Sequence, residues 1–392
     1  MEWKKATKQD THLVQIPERW LHLYYYEALN VLFRFENALR VFVYVILKKE
    51  FNEKWSETAI SSGGSIKSET KSRIAKAKEH AYLGYELSSP MLYLNSGELI
   101  DIIISDAYWK YFSPFFKASR SIVSTKLQEI GMVRNSLAHF RPIKEDDIDL
   151  IKQNTKHVLL EIEKCLIQLT AITTIVPSNS NDDWYKEIKP IGSESLKISI
   201  FHSEDEEWVR VSIIHTIPTL EKKKFGENYY SYKAGNFRTD QLFSEFPILK
   251  DKCIYLSEGH LWGGQHPNFD LNSVKEISLV FAKNCLSDNL QNIVKALKEI
   301  VQIVDEETDL LKQDNLARGK LIETKSANAS IRTRDDGSSY WSVSLNSMTT
   351  PLVNTSEVEY WGTRAHYETD FISGSNQYPW MPDSISDYEI PF

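Results

Sequence analysis

The sequence predicts a multi-domain chain: an N-terminal all-α helical bundle, then an α+β domain that runs into an aromatic-rich C-terminal segment. Three observations predict it. Apolar residues recur three or four apart through most of residues 18–170. A polar stretch, Pro-Ser-Asn-Ser-Asn-Asp-Asp at 177–183, ends that pattern. Short strand-like runs follow it.

Taken in order, residues 18–49 read as one long helix. Its apolar positions include Leu21, Tyr24, Ala28, Leu32, Phe35, Leu39, Phe42 and Ile46. Ser-Ser-Gly-Gly-Ser at 61–65 is a flexible break. Residues 68–85 form a second helix. Ser96 is the N-cap candidate of a third, over 96–106. Helix resumes over 115–130 and stops near Gly131. Pro142 punctuates the chain. Residues 145–169 make a last helix whose acidic first turn suits the helix dipole. Ile148, Ile151, Val158, Ile162 and Leu166 give it an apolar stripe.

Beyond the linker, residues 196–201, 208–216, 253–256 and 277–281 read as strands, with a short helix near 239–243. Residues 286–312 form a long helix with Leu290, Ile293, Leu297, Ile300, Val304 and Leu311 on one stripe. That stripe suits a coiled-coil seam or a core face, and a length under four heptads favours the core. The expected divisions are an extension at 1–17, the helical domain at 18–176, a linker at 177–184, the α+β domain at 185–331 and the aromatic, acidic segment at 332–392. The last contains Tyr340-Trp341, Tyr360-Trp361, Tyr367, Trp380 and Tyr388. So many rings argue against simple disorder. They suit a segment that drapes over the domain, or a tail that binds a partner.

Composition narrows the function. The longest apolar run, residues 41–47, is too short to span a bilayer, so no membrane partner is expected. Cys165, Cys253 and Cys285 fit no disulfide or zinc pattern and suit a reducing cytoplasm. No phosphate-cradling glycine loop, HExxH or GxSxG occurs, and no cofactor or metal is expected. Residues 1–175 carry 24 Lys+Arg and 21 Asp+Glu, a net +3; residues 176–392 carry 22 and 33, a net −11. Any nucleic-acid contact must use a local patch, and the asymmetry favours the N-terminal part.

The chemistry-bearing stretch is Arg134-Asn135-Ser136-Leu137-Ala138-His139. On a helix Asn135 and His139 lie one turn apart, and the Arg134 fork reaches the same spot. A histidine of reference pKa ~6.5 exchanges protons near neutrality. An arginine holds phosphate while negative charge builds. With 13 Arg and 10 His in 392 positions, the bare Arg-x4-His spacing arises by chance about a third of a time per chain. Arg210 and His215 share it, but in a strand they point to opposite faces, so they do not converge. Asn135 makes the pattern about twentyfold rarer. The bland reading is a helix start in which Asn135 caps, Arg134 is solvated and His139 packs inward.

Arg134-Asn135-x-x-Ala138-His139 resembles the signature of HEPN domains, in particular the Swt-like branch. Phe35-Glu36-Asn37-Ala38-Leu39-Arg40-Val41-Phe42, the run from Leu47 to Trp55, residues 93–103, and Trp109-Lys110-Tyr111-Phe112 resemble other segments of it, in order. The resemblance covers about residues 18–170. It implies metal-independent cleavage of RNA, which carries its own nucleophile in the 2′-OH. Arg134, Asn135 and His139 would be catalytic, with Glu36 in support; without the resemblance, Glu36 reads as a surface ion pair with Arg40. It also implies a homodimer with a composite site and a role as a toxin or anti-phage defence effector that aborts infection. Lys67, Lys71, Arg73, Lys76 and Lys78 read either as a solvated face or as a track for the RNA backbone. Trp109, Tyr111 and Phe112 suit core packing before base stacking. The C-terminal half would restrain or direct the nuclease, or dock a regulatory protein. The alternative is a non-catalytic HEPN-type module that binds RNA or protein beside another enzyme. In the nucleotidyltransferase partners a tyrosine follows the histidine by two; here that residue is Arg141.

Overall fold

A computed structural model describes residues 7–8, 14–15, 23–61, 63–80, 90–139, 141, 143–170, 172, 181–263 and 272–344. The expectations for residues 18–22 and 81–85, Pro142, the linker at 177–180 and the rings beyond residue 344 lie outside the described residues. Helix and antiparallel sheet share the fold. Contacts divide the chain into two compact units. One takes the chain up to residue 43 with residues 60–63 and 94–165; the other takes residues 44–59, 64–93 and the chain from 166 onward. The first helix, α1 (Leu23–Phe51), supplies residues to both. Before it, β1 (Thr7–Lys8) pairs with β2 (Val14–Gln15).

Apart from the β1–β2 pair, the described part of the first unit is helical. It holds the start of α1, then α3 (Ser96–Ile104), α4 (Trp109–Phe112), α5 (Arg120–Ala138) and most of α6 (Glu145–Thr170). Asn95, not Ser96, caps α3: its Oδ1 accepts from Glu98 N at 3.0 Å while Glu98 Oε2 accepts from Asn95 N at 2.9 Å. Phe42 meets Phe112, Phe115 and Phe116 at 5.4–6.0 Å between ring centroids. Those contacts hold the 115–116 stretch on the core, so α5 starts five residues later than the periodicity implies. Nor does α5 stop at Gly131. Val123, Leu127, Ile130, Val133 and Leu137 keep one buried stripe through it, and that burial outweighs the ~1 kcal/mol a mid-helix glycine costs.

The second unit carries the two four-stranded sheets. α2 (Ile66–His80) belongs to it, as does α7 (Asp183–Ile188). One sheet runs β3–β4–β8–β7, from β3 (Leu196–His202), β4 (Trp208–Ile217), β7 (Cys253–Gly263) and β8 (Asn272–Ala282). The other runs β10–β9–β6–β5, from β5 (Thr219–Lys224), β6 (Tyr229–Phe237), β9 (Ile322–Thr333) and β10 (Ser339–Val343). All their pairings are antiparallel. Short helices α8 (Thr239–Glu245) and α9 (Pro247–Lys252) lead into β7. The expected long helix is two: α10 (Lys283–Asp288) and α11 (Leu290–Lys312), parted at Asn289, which leaves helical geometry. In α11 Ile293, Leu297, Ile300 and Val304 are fully buried, so the stripe faces a core rather than a coiled-coil partner. The end of α1 is tied in here: Tyr44 OH donates to Ile254 O at 2.6 Å and Lys48 Nζ to Lys250 O at 3.1 Å. The three cysteines are buried thiols, none in a disulfide. Among the described residues, no helix is long and apolar enough to cross a membrane.

Candidate active site

α5 carries the signature to its own end. Arg134 immediately precedes its last turn, Asn135 begins that turn, and His139 is the C-cap, with its N–H on Asn135 O at 3.2 Å. The stretch is thus a helix end, not the start that a capping Asn135 would mark. The buried stripe of α5 faces the core, which leaves Ile122, Thr125, Gln128, Met132, Asn135 and His139 along its exposed side. His139 is therefore open to solvent rather than packed inward.

Arg134 turns away from that stripe. Its Nε lies 3.3 Å from Glu36 Oε2, and its Nη1 donates to Asn135 Oδ1 at 3.4 Å. Glu36 is mostly buried and also accepts from Arg40 Nη2 and Ser96 Oγ. Arg40 in turn donates to Asn37 Oδ1 at 2.9 Å and Leu94 O at 3.2 Å. Burial holds the Arg40 guanidinium below its ordinary value; Glu36 opposes that shift and Arg134 adds to it. One carboxylate therefore sits between two guanidinium groups. The pair with Arg40 expected on the surface is made, but inside a network, where a charge needs its partners. A guanidinium fixed by its Nε, and still one-third exposed, is oriented to meet an anion at the end of α5.

The structure brings together Arg134, Asn135 and Glu36 by direct contact and sets His139 one turn from Asn135 on the same exposed side. Sequence reasoning did not find Ser96, Asn37 or the second role of Arg40. The asparagine before Ser96, followed by Glu98 three on, is a capping-box signal that would have freed Ser96 for another task.

The basic run does not form one track. All five residues lie on α2, within the second unit, whereas the signature belongs to the first. Lys67 and Lys71 are exposed one turn apart, while Arg73 and Lys76 fall roughly 200° and 140° round from Lys71 at about 100° per residue. Arg73 is already engaged, Nη1 donating to Tyr93 O at 2.6 Å. Of Lys78 the structure describes only the helical backbone. Phe112 is core, and Trp109 stacks on Phe116 at 5.8 Å. Arg210 and His215 are both buried in β4, five apart. No family profile, curated protein or solved structure matches this chain.

Proposed function

We propose that the chain is a cytoplasmic endoribonuclease of the HEPN type, acting as a toxin or anti-phage effector from the end of α5. What carries the reading is Arg134: its Nε is held on a mostly buried carboxylate, and it stands at a solvent-facing helix end that also bears His139. In the proposed reaction the ribose O2′ bonds to phosphorus and the P–O5′ bond breaks. One proton leaves O2′ and one arrives at O5′. His139 moves a proton at one of these atoms, and Arg134 balances the charge of the pentacoordinate phosphorus. Asn135 takes a phosphate oxygen or steadies the imidazole.

One histidine does not serve as base and acid in the same step, so the proposal includes a homodimer that supplies two. Met132 and Ile122, 66% and 50% exposed on the same side of α5, support it, since large apolar groups in water favour a partner surface. The acidic C-terminal half then senses, tethers or docks a regulatory protein. The same exposed side would also suit a non-catalytic module. The deciding experiment is incubation of pure protein with total RNA in EDTA. Fragments ending in 2′,3′-cyclic phosphate, lost in His139→Ala, are expected; intact RNA would leave the binding module as the better reading.

A further inference from the structure

The second unit contains a basic, aromatic hairpin that the proposed nuclease chemistry does not use. It consists of β5 and β6, joined through Phe225–Tyr229, where Phe225 N donates to Tyr229 O at 3.1 Å. Among the described residues β5 is an edge strand, paired only with β6. It ends in Lys222-Lys223-Lys224, all exposed, within a half of the chain that carries −11.

Strand alternation sorts the three lysines. Lys223 points to one face and is paired with Glu221 at 2.7 Å. Lys222 and Lys224 point to the other. Lys222 is the register partner of Tyr232, and Lys224 of Tyr230. Their ammonium groups stand over rings: Lys222 Nζ is 4.9 Å from the centroid of Tyr230 and 5.1 Å from that of Trp341, and Lys224 Nζ is 5.9 Å from Tyr230. Among the described residues neither has a carboxylate within 4.0 Å, and Glu227 lies in the turn rather than on the strand.

The ring cluster follows from what β9 places between its neighbours. Ala329 and Ala327 are the register partners of Tyr230 and Tyr232, and Ala329 is also the partner of Val343 on β10. Two methyl groups leave room for the tyrosines to lean across the sheet until Tyr230 and Trp341 meet edge to face at 5.2 Å. Tyr232 and Trp341 are buried and form the floor; Tyr230 is half-buried above them. At the tip, Phe225 and Tyr229 are 63% and 54% exposed, with rings 6.0 Å apart.

Edge lysines alone guard an unpaired strand against sheet-to-sheet pairing. That purpose does not call for two large rings held in water beside them. Cations without carboxylates, half a turn of chain from open π faces, match a flexible polyanion with flat apolar groups. We propose that this hairpin is a contact site for single-stranded RNA: Lys222 and Lys224 take phosphates, while Phe225, Tyr229 and Tyr230 take bases. The inference rests on the proposed nuclease reading for its choice of RNA, and it adds a recruitment surface remote in sequence from the α5 signature.

The test is fluorescence anisotropy with a labelled twenty-nucleotide oligouridine, on the full chain carrying His139→Ala so that the probe survives. The parent should bind with a strong salt dependence. Lys222→Gln/Lys224→Gln should weaken binding at least tenfold and lower the log–log salt slope by about 1.4, at roughly 0.7 per phosphate contact on a single strand. Phe225→Ala/Tyr229→Ala should weaken binding without moving the slope. Lys223→Gln should change little. All these side chains are exposed, so unchanged melting temperatures will confirm intact folds. RNA affinity that ignores both double variants overturns the proposal and leaves the face to a protein partner; a parent that fails to bind the probe also overturns it. A chain that cuts no RNA yet binds it through Lys222 and Lys224 would refute the nuclease reading and keep this one.

Discussion

Arg134 Nε stands 3.3 Å from Glu36 Oε2, tying the C-terminal part of α5 to the middle of α1. Because Glu36 also holds Arg40, removing its charge leaves two guanidinium groups facing each other in a mostly buried setting. Glu36→Gln should therefore cost about 3 kcal/mol in urea unfolding, the low end for a broken buried pair, because Arg134 is one-third exposed. It should also lower RNA cleavage at temperatures where the variant is still folded, because Arg134 loses its anchor. Full cleavage by folded Glu36→Gln would mean that Glu36 only supports the fold.

Arg134→Ala and His139→Ala should each reduce cleavage by about a hundredfold or more, the usual range for a lost general acid–base or charge-stabilising group. His139 is exposed at the helix end, so circular dichroism of His139→Ala should match the parent. Arg134→Lys should not rescue, since an ammonium does not hold Glu36 through one nitrogen and an anion through two others. Recovery of most activity in Arg134→Lys would reduce the role of Arg134 to a point charge.

Some of this was legible in the sequence. The α5 stripe and the Arg134/His139 spacing follow from a period of 3.6, and the strands at β3, β4, β7 and β8 from runs of β-branched residues. The Glu36–Arg134 tie was not, because no local pattern joins two helices so far apart in the chain. β5 and β9 were missed for a physical reason: an edge strand ending in lysines and a central strand built on Ala327 and Ala329 carry little apolar alternation. The β9–β10 hairpin did leave a signal. Asp336-Gly337 sits at its turn, and Gly337 has φ +80°, a conformation that favours glycine. β9 runs to Thr333, past the expected start of the aromatic segment at 332.

Met132→Glu tests the dimer. Light scattering should give a dimer for the parent and a monomer for the variant, with cleavage reduced at least tenfold, because a charge placed on an apolar contact is desolvated without a partner. An active parent that is monomeric at the assay concentration would defeat the composite site.

A chain ended at residue 176 tests how far the first part stands alone. Tyr44, Lys48 and Trp55 belong to the unit that contains the sheets, and Tyr44 and Lys48 donate to the backbone at Ile254 and Lys250. Without residues 250 and 254 those two hydrogen bonds are lost from buried groups, and the apolar end of α1 loses its cover. The fragment should be aggregation-prone, with a broad thermal transition by calorimetry. A sharp, reversible transition would show that residues 44–59 and 64–93 find their structure without the sheets.

His215 supplies a pH signature for the second unit. It is fully buried on β4, opposite Lys275 on β8, with neither ring nitrogen hydrogen-bonded among the described residues. Burial pushes its imidazole down to about 3, and the Lys275 ammonium adds to the shift. The unfolded chain takes up this proton near pH ~6.5 while the folded chain refuses it until about 3. Between those values the unfolded state binds more protons, so stability falls as pH falls, by about 1.4 kcal/mol per pH unit from this group alone. Above that window His215 is neutral in both states and contributes no slope. Unfolding free energies of the parent and His215→Leu, measured by urea from pH 7 to 4, should diverge in slope by one proton below pH ~6. Parallel curves would mean that His215 is hydrated or already charged in the folded protein, and that the sheet opens to water at this row.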